Sequence, residues 1–203
     1  MKTVVSIDFD IIMAPSIELY NNMVPNADWN SLLNDPYMQL LTIDTNHYSK
    51  IFSYVMRCAN HMKKENIHFI EDHGQASKFI TEPCKLFNID HHHDLGYKED
   101  NSEEEKINCS NWVSYLHREN LITDYIWIKN VNSVEPLEFP DWLTCKDFIN
   151  YKLDDIPIPN ELIICLSEPW VPYSYRPLFY LLMDYCNDKF DTHYNILMDR
   201  CTQ

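Results

Sequence analysis

Leu86-Phe87-Asn88-Ile89-Asp90-His91-His92-His93-Asp94 decides the reading of this chain. A short apolar run ending in alternating Asp, His and Asp reads as a buried strand that delivers ligands at its tip. Side chains two apart on a strand share a face, so extended geometry points Asp90, His92 and Asp94 the same way. Such groups packed together repel and desolvate badly unless a cation lies between them. The stretch therefore predicts a metal site.

Two other segments have the same build. Thr3-Val4-Val5-Ser6-Ile7-Asp8-Phe9-Asp10 is a β-branched run ending in two carboxylates at spacing two. Ile67-His68-Phe69-Ile70-Glu71-Asp72-His73-Gly74 is an apolar run ending in Glu-Asp-His. Parallel sheets gather functional groups at the carboxyl ends of their strands. Three such ends on one rim would bring together Asp8, Asp10, His73, Asp90, His92 and Asp94. The only two glycines of the chain, Gly74 and Gly96, flank these motifs. Glycine used so sparingly marks a sharp turn or a close backbone approach.

Around these tips, hydrophobic periodicity alternates between strand and helix. A helix is predicted over 46–65, with Ile51, Phe52, Val55, Ala59 and Met62 on one face. Strands are predicted over 67–71, 86–90, 122–128 and 161–166, and helices over 75–81, 108–119 and 175–201. Trp112, Tyr115 and Leu116 should face inward from the 108–119 helix, and Leu178, Leu181, Leu182 and Tyr185 from the last one. Residues 13–45 read as irregular. Residues 97–106 form a charge run that reads as a solvated loop, with room for a lid beside the rim. Residues 130–160 hold four prolines and read as loop, with room for edge strands or a short helix. Strands alternating with helices indicate one α/β domain over 1–203, a mostly parallel sheet flanked by helices.

Bulk properties narrow the function. A net charge of −15 argues against binding nucleic acid through its phosphates and is compatible with a cationic substrate or metal ions. Seven cysteines without a C-x-x-C pair read as reduced core thiols in a cytoplasmic setting. No signal segment is evident, and no apolar run approaches the roughly 20 residues that cross a bilayer. His47, His61, His68 and His193 read as surface or core residues, and His91 and His93 as neighbours of the ligand face.

Glu71-Asp72-His73-Gly74, Asp90-His91-His92-His93-Asp94 and Ser6-Ile7-Asp8-Phe9-Asp10 together resemble motifs of the arginase-like ureohydrolase superfamily. Those are its Gly-Gly-Asp-His, Asp-x-His-x-Asp and Ser-x-Asp-x-Asp segments. The last comes first here, so the resemblance implies a three-layer arginase-like fold with rearranged strand order. Asn111-Trp112 and Ile126-Trp127 resemble marks of a compact branch that includes peptide arginases of ribosomal peptide maturation. By that resemblance two Mn2+ ions are held, with Asp8 and Asp90 bridging. His73 and Asp94 complete one shell, and Asp10 and His92 the other. A hydroxide between the ions attacks the guanidinium carbon of an arginine in a peptide, releasing urea and leaving ornithine. Asp94 takes or relays the proton. Glu168, after the 161–166 strand, holds the guanidinium. Asn111 stands in the region of the family's proton-shuttling histidine, where no histidine occurs, and His117 lies a few residues beyond. Two alternatives remain: another metallohydrolase such as a deacetylase, and a non-catalytic metal-stabilised binding protein. The oligomeric state is left open.

Overall fold

The computed structural model describes residues 1–13, 43–96, 106–131, 133, 135–136, 138–168 and 170–189. The expected irregular stretch at 14–42, most of the charge run with its lid, and the last helix beyond 189 lie outside the described residues, as do His193 and Cys201.

Six strands form one sheet in the order β2-β6-β1-β3-β4-β5. They are β1 (Lys2–Asp8), β2 (Ile67–Ile70), β3 (Cys84–Ile89), β4 (Ile122–Lys129), β5 (Leu143–Asp147) and β6 (Glu161–Cys165). Every pairing is parallel. Among the described residues three α-helices accompany it: α1 (Thr45–Ala59), α2 (Trp112–Arg118) and α3 (Arg176–Lys189). The chain is thus an α/β protein with a parallel sheet.

Alternation along the strands sorts the core into two halves. Val5, Ile7, Phe87, Ile89, Leu162 and Ile164 join the cluster that includes Ile51 and Val55 of α1 and Leu182 of α3. Val4, Leu86, Ile163 and Cys165 join the opposite cluster with Trp112 and Leu116 of α2. Helices therefore cover both faces. Of the expected α3 stripe, Leu182 is fully buried and Leu178 and Tyr185 are partly so. Leu181 is instead 55% exposed.

Capping explains the shifted helix ends. Asp44 accepts from the amides of Asn46 and His47, starting α1 at Thr45. At the other end the His61 and Met62 amides both turn back to the Cys58 carbonyl. This closes α1 at Ala59, well before 65. The helix expected over 75–81 is a 3-10 helix over His73–Phe79, capped by Asp72 accepting from the Gly74 amide at 2.7 Å. Within the loop-rich 130–160 stretch, β5 forms at the sheet edge.

Register sets up the rim. Ile7 pairs with Ile89, so the residues that follow, Asp8 and Asp90, leave adjacent strands at the same level. Asp8 also pairs with Cys165, and Ile70 with Cys165, which brings the end of β2 to the same height.

Candidate metal centre

Beyond the carboxyl ends of β1, β2 and β3 the side chains form two ligand groups. Asp8, His73 and Asp90 make one; Asp10, Asp90 and His92 make the other. Within each group the ligating atoms lie within 4.8 Å of one another. Asp90 belongs to both, whereas Asp8 belongs to the first only. These buried clusters can hold a metal ion.

The first group is centred on an imidazole. His73 Nδ1 lies 3.2 Å from Asp8 Oδ2, 3.1 Å from Asp90 Oδ2 and 3.1 Å from Asp94 Oδ2. One N–H cannot serve three acceptors, and Nδ1 in fact makes no well-formed hydrogen bond. The other ring nitrogen, Nε2, is 2.6 Å from Ser6 Oγ. With Nδ1 turned toward an ion, Nε2 carries the proton and donates to Ser6, the arrangement that orients ligating histidines. In the second group His92 Nδ1 is 3.1 Å from Asp10 Oδ2, another buried atom without a hydrogen-bond partner. Orphaned buried polar atoms are uncommon and call for a cause. A cation between carboxylates and imidazoles would supply one here.

Electrostatics say the same. Burial, and then Asp8, push the Asp10 carboxyl up to about 7. Burial, followed by Asp94 and Asp8, does the same for Asp90, also to about 7. Burial alone would lower the His73 imidazole, but Asp8, Asp90 and Asp94 outweigh it and hold it well above its usual value. Likewise Asp10 and its neighbours raise His92 to about 9 against its burial. Without an ion the cluster retains protons as its only counter-charge. His91 and His93 move the other way, to about 3 and about 4, by burial and the neighbouring His92. Neither belongs to a ligand group. His93 Nδ1 accepts from the Leu95 amide at 3.0 Å.

A surrounding shell fixes the ligands. Trp112 Nε1 donates to Asp94 Oδ2 at 2.6 Å, and Trp127 Nε1 donates to the Asp90 carbonyl at 3.0 Å. Asn88 Nδ2 donates to Asp90 Oδ2 at 3.0 Å. Ser167 Oγ donates to Asp8 Oδ2 at 3.0 Å. Asp94 and Ser167 have φ of 54° each, the left-handed region that L-residues avoid. Backbone strain of this kind tends to collect at functional sites. Asn120, the remaining non-glycine residue of this kind among those described, merely closes the C-terminus of α2.

Two residues expected at the site are otherwise engaged. Glu168 is not a free receptor, because its Oε1 already accepts from Arg176 Nη1 at 2.9 Å. Asn111 spends its amide on the backbone: Oδ1 accepts from the Asn108 amide at 2.9 Å and Nδ2 donates to the Lys106 carbonyl at 3.2 Å. His117 Nδ1 lies 2.8 Å from the Ile122 carbonyl, and its ring stacks on Trp142. An open cleft of about 650 Å³ lined by Lys50, Tyr54 and residues 149–154 includes no member of either ligand group.

Both glycines have physical reasons. A Cβ on Gly74 would lie 2.8 Å from the Asn108 carbonyl carbon, so the 106–111 loop rests directly on the residue beside His73. Gly96 has φ of 87° and hydrogen-bonds the Ser110 carbonyl. Of the cysteines, Cys58, Cys84, Cys165 and Cys186 are buried, but Cys109 and Cys145 are only half-buried. Among the described residues no helix is long and apolar enough to cross a membrane. Comparison of the chain with family models, curated proteins and solved structures gives no match.

Proposed function

We propose that the chain is a hydrolase using two divalent ions, best manganese, to convert arginine in a peptide to ornithine with release of urea. The observation that carries this reading is the sharing of Asp90 between two buried Asp/His groups on one sheet rim. Carboxylates with a minority of imidazoles and no thiolate suit Mn2+ better than structural Zn2+. Asp8, His73, Asp90 and Asp94 would hold one ion, and Asp10, Asp90 and His92 the other. Such a pair supplies a water-derived nucleophile near neutral pH.

The remaining work falls to the chain itself. Trp112 locks Asp94 Oδ2 beside His73, where the carboxylate is set to accept and relay a proton. The acidic chain attracts a cationic guanidinium. A free Glu168 carboxylate would grip it bidentately, but Arg176 already engages that residue, so Glu168 is not available to receive it. The arginase-like motifs favour arginine over other substrates, and the resemblance of Asn111-Trp112 and Ile126-Trp127 to marks of the compact branch favours a peptide.

Elemental analysis of the purified protein and mass spectrometry of arginine-containing peptides incubated with it and Mn2+ test the reading. Two ions per chain and a mass loss matching arginine to ornithine are expected. Deacetylation of acetyl-lysine peptides with arginine untouched transfers the site to a deacetylase. Tight metal binding with neither conversion makes it a metal-stabilised binding protein.

A further inference from the structure

Arg176 stands at the start of α3 and is only 8% exposed, unusual for a charged residue. Its guanidinium fork closes on one turn. Nε donates to the Val171 carbonyl at 3.1 Å, Nη2 to the Glu168 carbonyl at 2.7 Å and Nη1 to Glu168 Oε1 at 2.9 Å. The guanidinium carbon sits 4.0 Å from the Tyr173 ring centroid. The amides of Trp170 and Val171 in turn bond the Ser167 carbonyl at 2.8 and 3.2 Å. A planar fork reaching three acceptors at fixed angles is a property of arginine that lysine lacks.

The turn so held touches both ligand groups. Ser167 reaches Asp8 Oδ2 from the left-handed conformation described above. The Trp170 ring lies 5.2 Å, centroid to centroid, from that of His92. A Cβ-bearing residue stays in the left-handed region only where its surroundings over-determine it. Arg176 and its three bonds provide that determination within ten residues of Ser167.

We infer that Arg176 is a positioning residue of the metal centre: it clamps Ser167, Glu168, Trp170 and Val171 so that Ser167 orients the Asp8 carboxylate toward an ion. Glu168 is then a part of the clamp rather than the receptor of a substrate guanidinium. The inference rests on the metal reading of the cluster and is independent of the substrate.

Calorimetric titration of the full chain with Mn2+, paired with the visible absorption spectrum of the Co2+-loaded protein, tests it. Arg176→Lys and Ser167→Ala should each weaken Mn2+ binding by about tenfold or more, the usual effect of losing a partner of a ligand. The two should alter the Co2+ spectrum alike. The double variant should bind no more weakly than the weaker single, because both changes cut the same line of force. A folded Arg176→Lys variant with wild-type affinity and spectrum overturns the inference. So do losses that multiply in the double variant. Should Arg176→Lys fail to fold, Glu168→Gln loosens the clamp from its other side, and its affinity must fall with that of Ser167→Ala or the inference fails. A wild-type protein that binds neither ion overturns the underlying metal reading, an outcome visible before any variant is made.

Discussion

Asp90 carries more of the site than any other side chain. Its two oxygens face two different imidazoles: Oδ2 lies 3.1 Å from His73 and Oδ1 lies 3.9 Å from His92. Its carbonyl and Oδ2 are held by Trp127 and Asn88. Asp90→Asn removes a charge that serves both ligand groups, whereas Asp10→Asn removes one that serves a single group. The expected result is loss of both ions in Asp90→Asn and retention of one in Asp10→Asn, measured as metal per chain after dialysis. Equal retention in the two variants would contradict a shared carboxylate. Asp8→Asn belongs with the single-group variants on this geometry, although two bridging carboxylates were expected from the motif.

At the scale of elements, the strands aim the ligands and the loops after them hold the aim. Trp112 opens α2 and reaches Asp94 across the 106–111 loop. Trp112→Phe keeps most of the apolar volume and removes the N–H. A hydrogen bond to a charged group contributes about 1.5–3 kcal/mol. The urea midpoint of the ion-free chain should therefore fall, and metal affinity should fall about tenfold or more as well, the usual effect of losing a partner of a ligand. Gly74→Ala should lower the urea midpoint by packing alone. Its new Cβ meets Asn108 backbone, which cannot swing aside like a side chain. Overpacking of this kind costs about 1–3 kcal/mol, readable as a lower urea midpoint.

This scale also shows what the sequence could reveal. Each ligand-bearing strand is a run of β-branched or apolar residues ending in an acid or histidine, so local pattern alone finds it. Spacing two on a strand likewise exposes Asp8 with Asp10 and Asp90 with His92. β5 is legible only as the possible edge strand within 130–160, because Leu143-Thr144-Cys145-Lys146-Asp147 lies at the sheet edge and buries only its first residue. The partners of the ligands escape it too. Ser167 meets Asp8 across 159 residues, and Asn88 beside Asp90 looks like any polar residue within an apolar run. Glu168 sits at a strand end as expected, but nothing local shows that Arg176, eight residues on, turns back to engage it. Trp112 and Trp127 are visible as aromatic marks, and only the packed sheet shows their N–H groups directed at Asp94 and Asp90.

For the whole molecule the cluster makes stability depend on pH and on metal together. In the ion-free chain Asp10 and Asp90 sit near 7, above the roughly 4 of a carboxyl in an unfolded chain. The fold therefore binds more protons than the unfolded chain between those values, and these two groups cost stability as pH rises from about 4 to 7. His92, raised to about 9, and His73, held well above its usual value by its carboxylates, stabilise below about 6.5, and that contribution is lost as pH climbs through their folded values. Asp8, drawn down by His73 against its own burial, contributes above the ordinary carboxyl range and stays constant across neutral pH. Between about pH 5 and 9 the ion-free chain should thus weaken steadily from these groups. A divalent ion takes the place of the retained protons, so its binding strengthens as they leave. Stabilisation by a bound ion grows with the logarithm of its concentration over its dissociation constant. Thermal unfolding with Mn2+ and with a chelator, compared at pH 5.5 and pH 8, should show the larger Mn2+-induced rise in midpoint at pH 8. A rise that is equal at both values would mean that the ion does not displace protons from Asp10, Asp90, His73 and His92, and the two ligand groups would not be its site.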